Sequence, residues 1–133
     1  MKISDAAFKG VKFVNCKMLG VNFNDCNPFL LSLDFENCQL DFASFEKLKL
    51  QEIEFKNCSL QEVNFTETDL TNAIFKECNL NRAIFEYTIL EKADLRTAIN
   101  YSFDPEINQL RKAKFSLPEV VNLLSKYQIE IDK

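Results

Sequence analysis

Five cysteines are the residues of this chain best suited to chemistry: Cys16, Cys26, Cys38, Cys58 and Cys78, the last three recurring at intervals of twenty. Converging thiolates hold zinc, and paired thiols form disulfides. A regular repeat instead sets one thiol per repeat, side by side in a parallel row. That spacing favours reduced, buried thiols filling a small apolar position, as expected in a reducing compartment. The twenty Asp and Glu are the other candidates. They fall at outward positions alternating with Lys, whereas a general acid needs burial or a like-charged neighbour to shift its pKa. The chain has no His, no Gly-rich phosphate loop, and no Ser or Cys set beside a base. It therefore reads as non-enzymatic, with no catalytic residue, cofactor or metal.

The length of 133 residues suits one domain, and 47% hydrophobic residues suffice for a core. The net charge of -4 is dispersed, which argues against direct nucleic-acid or membrane binding, since both need clustered Lys and Arg. Met1 to Asp5 runs into mixed polar and apolar residues without a targeting signal, so the expected location is the cytoplasm. Thirteen Phe beside no Trp, and only two Gly, are unusual.

A period of five explains the Phe. From Leu33 the chain divides into LDFEN, CQLDF, ASFEK, LKLQE, IEFKN and so on to ADLRT, with Phe or Leu always third and a mostly small or aliphatic residue first. Five matches neither the helical period of 3.6 nor the strand period of 2. If each block makes one side and a corner, four blocks close a square coil of twenty residues whose first and third places point inward. Residues twenty apart then stack at about the strand spacing of 4.8 Å. The columns are Phe35, Phe55, Phe75, Leu95; Leu40, Leu60, Leu80; Phe45, Phe65, Phe85; and Leu50, Leu70, Leu90. Upstream the frame is shifted by two residues, a slip placed within 27–32 as a bulge, so that Cys16 lies under Cys38, Phe13 under Phe35 and Phe23 under Phe45. Cys26 sits beside that bulge on an adjacent side and is the thiol expected to react first.

Ala93-Asp94-Leu95-Arg96-Thr97, Val63-Asn64-Phe65-Thr66-Glu67 and Cys78-Asn79-Leu80-Asn81-Arg82 carry the motif of a small residue, Asn or Asp, Leu or Phe, and two polar residues. Over roughly residues 1–97 the chain resembles the pentapeptide-repeat family. The resemblance implies an all-β solenoid, a right-handed quadrilateral β-helix, here of about five coils over residues 1–115.

Beyond Leu95, Leu110 and Phe115 fall back into frame, and residues 116–133 read as a cap helix and short tail. Ser116 as N-cap and Glu119 three places on suggest a capping box opening an α-helix to about Tyr127. Leu117, Val120, Val121 and Leu124 form a stripe suited to covering the last coil; Leu123 and Tyr127 lie beside it and can serve a second contact. Some family members dimerise through C-terminal helices, which makes a homodimer an alternative to a monomeric cap. No cap is visible before Ile3 and Phe8, so this end either continues a longer solenoid or pairs with something.

Besides Ile74, Ile84 and Ile89, which fill places usually held by Asn or Asp and can simply stiffen the edges, two surfaces are candidates for an unidentified protein partner. One is Phe29-Leu30-Leu31 in the bulge. The other is an acidic line of Asp25, Glu46, Glu67 and Glu86, with Lys47 as its nearby opposing charge. The leading expectation is an interaction or scaffold module. The resemblance implies an alternative, since some members linked to quinolone resistance form acidic rods that resemble duplex DNA and engage DNA gyrase. Duplex DNA carries a charge per about 1.7 Å, far denser than one carboxylate per coil of about 4.8 Å.

Overall fold

The computed structural model describes residues 10–25 and 32–132. Cys26, Phe29, Leu30, Leu31 and the side chain of Asp25 lie outside the described residues. The chain winds as a four-sided parallel β-helix. On the first side, β1 (Val11–Val14), β2 (Leu33–Glu36), β3 (Glu54–Lys56) and β4 (Ile74–Lys76) form a parallel sheet in sequence order. Short bridges repeat on the other sides: Gln39 to Ser59 to Asn79 on the second, Ser44 to Asn64 to Ile84 on the third, and Lys49 to Asp69 to Ile89 on the fourth. The register carries the two-residue slip. Phe13 pairs with Phe35 and Asn22 with Ser44, whereas Phe35 pairs with Phe55 and Phe55 with Phe75.

The core is built from ring stacks. Phe55 lies between Phe35 and Phe75 at centroid distances of 5.4 and 5.3 Å, nearly parallel to both. Phe45, Phe65 and Phe85 stack likewise on the third side, and the two columns meet edge to face, as at Phe55–Phe65 (6.0 Å, 76°). Both arrangements suit the ring quadrupole, so the Phe surplus forms two interlocked columns. Thr68, Thr88 and Asn108 are the buried polar residues that enter this core with a partner. Thr68 Oγ1 donates to Phe45 O (2.9 Å), Thr88 Oγ1 to Phe65 O (2.7 Å), and Asn108 Nδ2 to Phe85 O (2.9 Å). Phe115 continues the first-side column beyond Leu95, with Lys114 bridged to Asp94.

From Asn37 to Lys92 each corner is turned by the fifth residue of a block in the left-handed region. Asn37, Asn57 and Asn72 suit it, and Gly10 and Gly20 adopt it, but Glu, Lys, Arg, Phe42 (φ 65°) and Tyr87 (φ 55°) also do so. Left-handed backbone costs most side chains roughly 1–2 kcal/mol, and Asn tolerates it better. Because Phe42 is 61% exposed, Phe42→Asn is expected to raise stability by about 1 kcal/mol; chemical denaturation checks this.

The C-terminal segment is helical, but it winds as a 3-10 helix over Glu119–Tyr127 instead of the expected α-helix. Pro118 occupies the N-cap, with no side-chain cap bond. The Glu119 carboxylate is drawn away from a capping box by the backbone N–H of Asn100 and the amide of Asn122, both at 3.0 Å. Residues three apart align in a 3-10 helix, so Val120 and Leu123 face the core. Leu123 is buried, whereas Leu117 is 81% exposed and Leu124 is also exposed. The stripe that covers the last coil is therefore Val120 with Leu123, not one running through Leu117 and Leu124.

Candidate interaction surfaces

The acidic residues of the third side do not form one line. The Glu67 N–H donates to Glu86 O and the Lys47 N–H to Thr66 O, which fixes the register of the outer rows. Glu46, Thr66 and Glu86 share one row; Lys47, Glu67 and Tyr87 share the next, at the corner. Thr66 thus separates two of the glutamates. Lys47 Nζ lies 3.9 Å from Glu67, an exposed ion pair that holds little energy but locally offsets the charge. The cause is a one-residue shift, since Glu67 follows Phe65 by two positions while Glu46 and Glu86 follow their Phe by one.

The first-place thiols form the expected row. Cys38 and Cys78 are buried, and their Sγ atoms donate to Phe13 O (3.3 Å) and Phe55 O (3.2 Å). Burial pushes the Cys38 thiol up. A hydrogen bond shared with Cys58, followed by burial, pushes Cys78 up. These shifts disfavour the thiolate needed for nucleophilic attack. Among the described residues no group of three or more His, Cys, Asp or Glu is placed to hold a metal ion, and no helix is long and apolar enough to cross a membrane.

The C-terminal end carries the most distinctive surface. The cap helix is tied to residues 100–106: Ser102 Oγ reaches Asn122 O and Ser125 Oγ, and Lys126 bridges Asp104 (3.0 Å) and Glu106. The bonds to Glu106 and then Asp104 raise the Lys126 pKa. The Glu106 backbone N–H and then Lys126 hold Asp104 below its usual range. A lowered folded pKa contributes stability that is present above the ordinary Asp value of about 3.9 and is lost as pH falls through the lowered value. Acid is therefore expected to loosen the helix through Asp104. Methyl shifts of Leu123 followed by NMR through that window check this, and Asp104→Asn removes the Asp104 step. Sequence reasoning missed this clamp, although Lys126 continues the three-residue row of Val120 and Leu123.

Outside the clamp, Leu117, Leu124, Tyr127, Ile129 and Ile131 are exposed. Of the residues proposed from sequence for a cap or dimer, Val120 and Leu123 pack inward, Val121 is half-buried, and Leu117, Leu124 and Tyr127 remain at the surface.

Comparisons place this architecture among known proteins. No curated protein matches the chain in sequence. Among solved structures, a trypsin-treated form of QnrB1, a plasmid-mediated fluoroquinolone resistance protein, superposes with a TM-score of 0.80 at 16% identity, over 97% of this chain and 62% of that one. HetL, a pentapeptide repeat protein involved in heterocyst differentiation regulation from the cyanobacterium Nostoc, superposes with a TM-score of 0.56 at 16% identity, over 85% of this chain and 60% of its own. The chain spans less than two thirds of either, and the likeness at this identity is one of fold. The family profile described as "Pentapeptide repeat region" matches residues 6–85. With more than half its length matched, and with coils whose Phe, Leu and Cys columns stack in register, the chain belongs to the pentapeptide-repeat family.

Proposed function

We propose that this chain is a non-enzymatic protein-interaction module that dimerises through its C-terminal end and offers its solenoid sides to an unidentified protein partner. The observation that carries this reading is the run of exposed apolar residues at that end, from Leu117 through Leu124 and Tyr127 to Ile129 and Ile131. Contiguous apolar surface beside charged groups marks contact sites. The buried, reduced thiols agree with a cytoplasmic setting.

Sedimentation equilibrium tests the reading. The expected mass is twice 15.4 kDa, falling to the single-chain mass when Leu117 and Tyr127 are both changed to Glu. A wild-type chain that stays at the single-chain mass up to roughly 100 μM, a concentration at which a micromolar dimer would be well populated, overturns it. The reading as an acidic, DNA-mimicking modulator of gyrase has less support, because Thr66 parts Glu46 from Glu86 and Lys47 offsets Glu67.

A further inference from the structure

The last coil ends, on its fourth and first sides, in an unmated β-edge. One coil earlier, the Leu90 N–H donates to Gln109 O (2.8 Å), the Lys92 N–H to Arg111 O (2.9 Å) and the Leu95 N–H to Lys114 O (2.9 Å), while Thr88 O and Ala93 O accept from the N–H groups of Gln109 and Lys114. Twenty residues on, the N–H groups of Leu110, Lys112 and Phe115 and the carbonyls of Asn108 and Ala113 have no partner among the described residues. The cap helix is bonded to residues 100–106 and makes no hydrogen bond to this stretch among the described residues.

Such an edge is a template for strand addition. Its exposed side chains are Gln109 and the cationic Arg111, Lys112 and Lys114. Two of these edges laid together would set like charges opposite one another, which disfavours direct edge-to-edge pairing. The strand that fits is extended, acidic and β-branched. The chain carries one: Ile129-Glu130-Ile131-Asp132 alternates Ile with carboxylates and makes no hydrogen bond among the described residues, its two Ile being 55% and 44% exposed.

One chain thus leaves open both an edge and the strand that would complete it. We propose that two copies exchange tails, with Ile129–Asp132 of each copy adding as a strand to the Asn108–Phe115 edge of the other. The carboxylates meet Arg111, Lys112 and Lys114, and the Ile side chains cover the half-buried Leu110 and Phe115. Reciprocal exchange closes on two copies under two-fold symmetry. This inference rests on the dimer reading above and specifies its contacts.

Two charge-swapped chains test it by sedimentation velocity. One carries Arg111→Glu with Lys112→Glu; the other carries Glu130→Lys with Asp132→Lys. Each alone, and a chain ending at Gln128, is expected to dimerise about tenfold more weakly than wild type or worse, and an equimolar mixture of the two swapped chains is expected to recover near wild-type affinity. A truncated chain that dimerises as tightly as wild type overturns tail exchange while leaving the dimer reading standing. A mixture that stays dissociated also overturns it. A wild-type chain that is itself monomeric removes the dimer reading first.

Discussion

Phe55→Ala is expected to cost about 3–5 kcal/mol, the largest single effect foreseen for this fold. Phe55 is fully buried, stacked on Phe35 and Phe75 and met edge-on by Phe45 and Phe65. Truncation therefore removes two stacking contacts and two edge contacts at once, and the rigid coil backbone cannot collapse into the hole. The location adds to the loss. In a solenoid each coil is held by its neighbours alone, so a defect in a middle coil weakens both interfaces it shares. Urea denaturation followed by circular dichroism measures this. Glu86→Gln, on the exposed outer face, serves as the control, with a change within about 0.5 kcal/mol. A loss below about 1 kcal/mol for Phe55→Ala would contradict the packing described.

Tyr101→Phe is expected to act in the opposite direction, stabilising the chain by about 1–3 kcal/mol. Tyr101 is fully buried near the C-terminal end, its ring 5.7 Å from Phe115 and 6.1 Å from Phe103, and its hydroxyl has no hydrogen-bond partner among the described residues. The substitution keeps the ring contacts and removes only the desolvated hydroxyl. Burial, followed by the nearby Glu119 charge, pushes its pKa up to about 12. A raised folded pKa contributes stability that is fully present below the ordinary Tyr value of about 10 and is lost as pH rises through the folded value. Wild type should therefore lose stability between those two values in a way that Tyr101→Phe does not. A destabilised Phe variant would mean that the hydroxyl is satisfied, for example by a buried water.

The coil was legible in the sequence because the interior of a square tube tolerates few residue types. Phe, Leu and Cys recur every twenty positions, and the two-residue slip near residues 27–32 could be counted from the shift between Cys16 and Cys38. Outer positions carry no such constraint. Glu46, Glu67 and Glu86 look like one column when only their side of the coil is considered, yet Glu67 falls one place later in its block and belongs to another row. The left-handed corners were hidden because Glu, Lys, Phe42 and Tyr87 occupy them against their own preferences. The cap escaped for a different reason: Ser116 and Glu119 have the spacing of a capping box, but a long-range bond from Asn100 captures Glu119. Local spacing does not contain that partner. The open edge at residues 108–115 likewise emerges only once the path of the helix over residues 100–106 is known.

The stacked register itself is tested most directly by through-hydrogen-bond scalar couplings in a long-range HNCO spectrum of the labelled chain. The ladder predicts correlations from the Ile74 nitrogen to the Ile53 carbonyl, from Asp69 to Leu48, from Phe75 to Asp94 and from Leu70 to Ile89. Correlations across this stretch joining each nitrogen to the carbonyl four residues earlier, or to a carbonyl in any other register, would contradict it.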